Sequence, residues 1–502
     1  MIFSSNKTNT KKTAEKVSSD NSSISFDLYT NLTYMAALSV GEPSRDLLMT
    51  KALEQDFKTG IFFRQVYVMT KRMGFDYSRA FRLVAKKAGA DSIEKLLLRF
   101  AGAINSGVSE VDFLLEEAKV EAEEYNSAYL RSVETLSKWA DAYAALLVSV
   151  TLVVVVAMIS TMLSTLGTSF LVMLTFSMIF VTAFGVYIIF RTAPSEDHVY
   201  QNRRGPKYRR ISRRLLLIFG PIGLFGGLFL SLSYGMPALL IMIGLGLLPS
   251  GVYAYRDNAL IGSIDKEASS FIRSLGNVAE SLGSTVSVAL EKIDRRALGT
   301  LDPYIKRLQV RLKRSIDPDK SWNAFRDEAG SALLNSSTRM FVDGVTLGGS
   351  AERVGGIASK YAMEVALLRD RRAVAALPFA MLTIPLHFAM TALMVFILEI
   401  MVTFNREISG AIVELNESSA GKGLALLPPL PIFQTQDMSS LGLITTVALI
   451  SMTIANALSP KFAMGGSSLL ISLFGSITCL MTGFNMLIIP TIARSVLLPD
   501  PT

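Results

Sequence analysis

Five stretches of this chain contain no Asp, Glu, Lys or Arg: residues 142–190, 215–255, 373–398, 438–460 and 462–493. A helix needs about 20 apolar residues to cross the hydrocarbon core of a bilayer. The first two gaps therefore each hold a hairpin of two helices, turning near "STLGTS" (164–169) and "SYGMP" (233–237), and the other three hold one helix each. The reading is seven spans, at about 142–163, 169–190, 215–233, 236–255, 374–398, 438–459 and 468–493. Over the whole chain 50% of residues are hydrophobic and 18% charged, against about 25% charged in an ordinary soluble domain. An all-α membrane protein with soluble parts is the expected fold class.

Lys and Arg in the flanking segments orient the spans. Residues 191–214 carry eight basic residues against Glu196 and Asp197, a net of 8 − 2 = +6. Residues 256–372 carry 19 basic and 15 acidic residues, a net of +4, whereas 399–437 carries Arg406 and Lys422 against five carboxylates, a net of −3. The basic segments are expected in the cytoplasm and the acidic loop outside, with the N-terminal region cytoplasmic and a tail at 494–502 outside. The densest run is "NRRGPKYRRISRR" (202–214), with seven positive charges and no negative one. Such a run beside two spans anchors topology and contacts anionic lipid headgroups, at about 1 kcal/mol per residue.

Residues 1–26 are polar, lack the apolar core of a secretory signal, and are expected to form a disordered cytoplasmic tail. The single cysteine, Cys479, lies in the last expected span. An internal disulfide, a dithiol pair and a multi-cysteine metal site are thereby excluded.

Two soluble regions remain, 27–141 and 256–372. "YSRAFR" (77–82) in the first matches "SWNAFR" (321–326) in the second, with Phe81 and Phe325 separated by 244 positions. Gly107 and Gly349 are 242 apart, as are Gly41 and Gly283. Landmarks at nearly one offset indicate a duplicated unit, each copy preceding a membrane span. In the first copy Leu115, Ala118, Ala122, Tyr125, Tyr129, Val133 and Leu136 follow a spacing of three and four, one apolar stripe of a helix. Glu116, Glu117, Glu121, Glu123 and Glu124 fall largely off it, and without Pro or Gly the helix is expected to run on into the membrane as one rod of about fifty residues. In the second copy "YIKRLQVRLKR" sets Lys306, Arg307, Arg311, Lys313 and Arg314 on a short helix whose inner face is Ile305, Leu308 and Leu312.

Chemistry is sparse. The glycine-rich "GGSAERVGG" (348–356) lacks the Lys and Ser/Thr of a phosphate loop. "GPIGLFGG" (220–227) falls in an expected span, where close helix packing accounts for its glycines. The two histidines are His198, in the basic segment, and His387, in the fifth span; with no carboxylate in the spans to pair with, His387 reads as a hydrogen-bonded packing residue. No catalytic residue, cofactor or metal site is expected. The basic segments lack the stacking aromatics of a nucleic-acid surface.

The succession "LTYMAALSVGEPSRDLL" (32–48), "MTKRMGFDYSRAFRLVAKKAG" (69–89) and "AINSGVSEVDFLLEEA" (103–118) resembles the type II secretion F domain. Two such helical domains, each followed by membrane helices, are similar to the platform proteins of type IV filament machines. The additional spans and the basic loop resemble the archaeal members, of the archaellum J type and of archaeal pili. The resemblance implies a protein that is no enzyme itself, that partners a hexameric secretion ATPase and pilin- or archaellin-like subunits, and that forms a homodimer in the cell membrane. Under it, Arg203, Arg204, Lys207, Arg209, Arg210, Arg213 and Arg214, with Lys306, Arg307, Arg311, Lys313 and Arg314, dock on the ATPase.

The implied organisation is a tail (1–26), a first cytoplasmic domain (27–141), a transmembrane hairpin (142–190), the basic loop (191–214), a second hairpin (215–255), a second cytoplasmic domain (256–372), a span (373–398), an external loop (399–437), two spans (438–493) and a tail (494–502). The alternative is a transporter or channel, since interrupted spans can form midplane sites; against it, the duplication lies in the soluble regions and the spans carry few polar ligands. A membrane sensor would require a larger external domain.

Overall fold

The computed structural model describes residues 21–55, 57–163, 168–200, 205–294, 296, 298–418 and 438–497. The "LALLPPLPIF" segment (424–433), expected to lie against the membrane, falls outside them. Among the described residues the structure is helical, and the one extended pairing is an isolated bridge between Val199 and Ser331.

Six helices open the chain: α1 (Asn21–Ser39), α2 (Arg45–Leu53), α3 (Gly60–Met73), α4 (Tyr77–Ala85), α5 (Asp91–Ser106) and α6 (Glu110–Leu163). Then come α7 (Thr168–Thr192), α8 (Lys207–Tyr234), α9 (Met236–Ser281), α10 (Val286–Lys292), α11 (Asp302–Lys313), α12 (Pro318–Ala329), α13 (Ala332–Thr346), α14 (Ala351–Ser418), α15 (Met438–Met464) and α16 (Ile471–Leu497). Seven of these, α6 to α9 and α14 to α16, are long and apolar enough to cross a membrane.

The succession α2 to α6 recurs as α10 to α14. Helix starts pair as 45 with 286, 60 with 302, 77 with 318, 91 with 332 and 110 with 351, so the offset is 241 or 242 throughout. The ends of α1 and α9, at 39 and 281, obey it too. The offset corrects the glycine landmark: the partner of Gly107 is Gly348. Both follow a helix with positive φ, 67° and 92°, the left-handed conformation glycine adopts without a Cβ clash.

Contacts divide the chain into two compact units. The first comprises residues 1–132, 194–207 and 258–371 and contains both repeats. The same offset pairs Phe81 with Trp322 and not with the motif's Phe325; Phe81 stacks on Phe100 of α5 at 4.5 Å, whereas Phe325 lies 5.8 Å from Phe271 of α9 and 5.7 Å from Trp322. The seam between repeats is built by α1, whose Tyr34 hydroxyl donates to Asp343 Oδ2 at 2.7 Å and whose Tyr29 donates to Glu364 Oε2 at 2.7 Å. A Cβ on Gly41 would stand 2.4 Å from the Leu347 carbonyl oxygen, so only glycine permits this approach.

The second unit comprises residues 133–193, 208–257 and 372–502. Its core includes Val154, Met158, Met178, Met394, Leu449 and Met452, from four helices. Gly223 and Gly227 of α8 fit against α9, where Gly223 meets Gly246, the close approach that small residues allow between membrane helices.

Local structure departs from the sequence reading in four places. The tail expected to 26 is helical from Asn21, where Ile24 is buried. The basic loop expected to 214 is helical from Lys207, since nothing after Pro206 interrupts helix formation until Pro221. The external loop expected from 399 continues α14 to Ser418. The inward stripe of α6 runs through Leu114, Ala118, Glu121, Tyr125 and Tyr129, with Leu115 and Ala122 only half-buried, so one of the five glutamates is interior.

Candidate functional site

The first two turns of α8 sort their cations by helical phase. Arg209 and Ser212, three apart, face inward: Arg209 Nε donates to Asp257 Oδ2 at 3.0 Å, and Ser212 Oγ donates to the Ser250 carbonyl at 3.0 Å. Both members of the ion pair are buried, Asp257 completely. Arg209 is thus withdrawn from any docking surface, while Lys207, Arg210, Arg213 and Arg214 are exposed. Arg203 and Arg204 lie outside the described residues.

The second expected group stands on α11, with Ile305 and Leu308 buried beneath it and Leu312 half-buried. Four of its five cations have partners inside their own repeat. Lys306 meets Asp302 at 2.6 Å, Arg307 meets Glu328 at 2.6 Å, Arg311 meets the same Glu328, and Lys313 meets Glu291 at 2.9 Å. Arg314 ends the helix exposed. Pairs this open are worth about 0–1 kcal/mol each, so a competing carboxylate can displace them. Their carboxylates nonetheless lower the field that this helix presents.

A buried ion network was not anticipated. Arg369 Nε donates to Glu196 Oε2 at 2.9 Å, Nη1 to Asp265 Oδ2 at 2.7 Å, and Nη2 to the Asp197 carbonyl at 3.0 Å. The Tyr129 hydroxyl donates to Glu196 Oε1 at 2.7 Å, the Ser331 hydroxyl donates to Asp265 Oδ1, and His198 lies 3.8 Å from Glu196. The backbone reinforces the anchorage, with Tyr200 N–H donating to the Gly330 carbonyl at 3.1 Å and Ala332 N–H to the His198 carbonyl at 3.3 Å. Burial opposes the charge on Glu196, but Arg369, His198 and the Tyr129 hydroxyl outweigh it and hold its pKa at about 2. Burial raises Asp265 above the ordinary carboxylate range, with Arg369 and Ser331 opposing. The segment leading into the basic run is therefore pinned to α9, α13 and α14 of the second repeat. In the sequence Glu196, Asp265 and Arg369 count only as charges in two separate segments, because the carboxylates stand 173 and 104 positions from Arg369.

In the second unit His387 is completely buried. Its Nε2 reaches Thr482 Oγ1 at 2.9 Å and the Thr478 carbonyl at 3.2 Å, and its Nδ1 meets Asn456 Nδ2 at 3.1 Å. The Tyr143 hydroxyl donates to Asn456 Oδ1 at 3.0 Å, which orients that amide with its NH2 toward the imidazole. Nδ1 then accepts and Nε2–H donates, a neutral ring with both nitrogens satisfied. His387 is the hydrogen-bonded packing residue its isolation in the sequence suggested. Among the described residues no group of three or more His, Cys, Asp and Glu side chains could hold a metal ion.

Comparison with curated proteins finds two relatives. The chain is 23% identical over 360 residues to Flagella accessory protein J of Methanocaldococcus jannaschii, covering 69% of this chain and 64% of that protein. It is 25% identical over 323 residues to Flagella accessory protein J of Methanococcus voltae, covering 61% and 57%. The chain thus matches less than two thirds of the length of either relative. These likenesses bear out the resemblance to archaeal filament platform proteins. No protein-family model matches the chain, the type II secretion F domain included, and no solved structure matches it.

Proposed function

We propose, from this homology to the Flagella accessory protein J proteins, that the chain is the integral membrane platform of an archaellum-type or related type IV filament machine. In this reading the repeat-bearing unit lies in the cytoplasm and the seven apolar helices cross the membrane. A hexameric secretion ATPase docks on the cytoplasmic face, and its movement is coupled to the transfer of pilin- or archaellin-like subunits from the bilayer into the filament. The platform works as a homodimer and catalyses no reaction itself. The observation that carries the reading is the joining of a duplicated helical unit to seven candidate spans in a chain similar to two archaellum accessory proteins.

The docking surface is assigned to the exposed cations Lys207, Arg210, Arg213 and Arg214, continued by Arg203 and Arg204, with Lys306, Arg307, Arg311, Lys313 and Arg314 as a second contact. Arg209 is left out because Asp257 holds it inside. Charge complementarity of this kind chiefly sets encounter rate and register, and it weakens with salt. Residues 194–200, pinned by Arg369, would carry force on the basic segment into the second repeat.

The test is mild crosslinking in cells, solubilisation, and mass spectrometry of the co-purifying proteins. Recovery of a secretion ATPase with pilin-like subunits supports the platform; recovery of neither removes it.

A further inference from the structure

The corner where α1 turns into α2 and meets the start of α6 is built differently in the two repeats. α2 and α6 start 241 positions before α10 and α14. The turn keeps that register: Glu42 N–H donates to the Ser39 carbonyl at 2.8 Å and Gly283 N–H to the Glu280 carbonyl at 3.0 Å, with φ of 49° at Glu42 and 54° at Gly283. Ser39 is thus the counterpart of Glu280, and Ser109, Glu110 and Val111 are those of Ser350, Ala351 and Glu352. In the second repeat the Glu280 carboxylate caps α14. Its Oε2 accepts from the Ser350 hydroxyl at 3.0 Å and from Glu352 N–H at 3.3 Å. These bonds, with a further one from Ala351 N–H, hold the Glu280 carboxyl below the ordinary carboxylate range.

In the first repeat no described side chain plays that part. Ser39 lacks the reach of a glutamate, is buried, and turns its hydroxyl back to the Ala36 carbonyl at 2.8 Å. The Ser109 hydroxyl oxygen accepts from Asp112 N–H at 3.5 Å, but its proton and the amides of Glu110 and Val111 have no acceptor among the described residues. Ser39, Ser109, Glu110 and Val111 line one cavity of about 440 Å³ together with Glu42 and Arg45. Its charges nearly balance. Arg45, whose guanidinium lies 5.6 Å from the centre of the Tyr77 ring, pairs with the Glu110 carboxylate, which leaves the exposed Glu42 against the partial positive charge of the α6 N-terminus. What marks the cavity is direction: it holds the same set of N–H and O–H groups that receives a carboxylate 241 positions later, at a helix end that favours an anion.

We propose that this cavity receives the carboxylate of a glutamate side chain offered by another protein, which caps α6 from outside as Glu280 caps α14 from within. The volume exceeds what a carboxylate needs and leaves room for the residue that carries it. Glu42 and Ser109 at the rim are exposed, so the entrance is open to a docking segment. The second repeat is then capped at all times and the first only when the partner is present, so the partner stabilises the start of α6, the helix that runs on as a candidate span.

The experiment is thermal denaturation and isothermal titration of the full-length protein in detergent with a blocked alanine-glutamate-alanine tripeptide, against its glutamine analogue at matched ionic strength. The glutamate peptide is expected to raise the melting midpoint by mass action, to titrate to one site per chain, and to bind about tenfold tighter than the glutamine peptide. Ser39→Glu copies Glu280 into the first repeat and should raise the midpoint while abolishing the peptide effect. Glu280→Ser, at an exposed position, should open a second site of similar affinity; if Ser39→Glu fails to fold, the presence or absence of that second site decides. Glu42→Gln should tighten binding by removing a like charge, and weaker binding in that variant would mean that the cavity takes a cation. That result, equal effects of the two peptides, or an unchanged peptide effect in Ser39→Glu overturns the site. Acetate acting as strongly as the peptide removes the protein segment as its occupant.

Discussion

Asp27 and Glu267 perform the same task 240 positions apart, each reaching from the first helix of its repeat to the start of the third. Asp27 accepts from Lys58 N–H at 2.9 Å and Thr59 N–H at 2.7 Å, and Glu267 accepts from Thr300 N–H at 3.0 Å and Leu301 N–H at 2.9 Å. The N-cap residues Thr59 and Leu301 make no side-chain cap of their own, and in each repeat a remote carboxylate takes the N-cap amide that the Glu or Gln at N3 of a capping box commonly would. Asp27→Asn and Glu267→Gln should each destabilise by about 1–2 kcal/mol, read as a lower urea midpoint. Loss of one cap without any effect of the other would show that the two repeats are not equivalent in this respect.

Glu121 gives the protein a pH dependence of known sign. Burial, and then the neighbouring Glu124, raise its pKa to about 7 from an ordinary 4.5. The folded state therefore binds the proton more tightly than the unfolded chain, and the stability this confers is lost as pH rises from about 4.5 toward 7. Glu121→Gln should match the wild type at pH 4.5 and exceed it at pH 8, by on the order of 2 kcal/mol. Parallel melting curves for the two proteins across that range would contradict the assignment.

Arg369 is the hub of the buried network, and removing it strands two carboxylates. Arg369→Met should cost about 3–5 kcal/mol. The triple replacement Arg369→Met, Glu196→Gln, Asp265→Asn should recover much of the loss, because it was the uncompensated charge that was costly. A triple variant as unstable as the single would mean that packing, not charge, sets the effect.

Arg209 and Arg210 are adjacent in sequence and should separate completely in assay. Arg209→Gln should lower stability by about 3 kcal/mol, with Asp257→Asn restoring part of it. Changing Arg210, Arg213 and Arg214 together to Gln should leave the melting midpoint nearly unchanged and, under the docking role proposed above, weaken recovery of a secretion ATPase in the crosslinking assay in a salt-dependent manner. Equal losses of stability from both changes would remove the distinction between inward and outward cations.

Much of the architecture was legible because a bilayer imposes a one-dimensional rule: charge-free runs of sufficient length announce spans whatever their neighbours are. The repeat was legible from Gly41 and Gly283, 242 positions apart, since helix-ending glycines are constrained locally, whereas the Phe81 and Phe325 match sits about three residues out of register. The site was less so. Whether Arg209 faces in or out depends on Asp257, 48 positions later, and Glu121 changes from solvated to buried by a phase difference of one residue on α6.

The seam at Gly41 also has a consequence in time. α1 is made before α13, on which it packs through Tyr34 and Asp343 and which emerges about 300 residues later, at typical synthesis rates about 15–60 s. During that interval Tyr34 lacks its Asp343 partner and Gly41 the Leu347 carbonyl it closes on, while four helices long and apolar enough to cross a membrane are made between. The seam of α1 therefore closes only after the second repeat has been made.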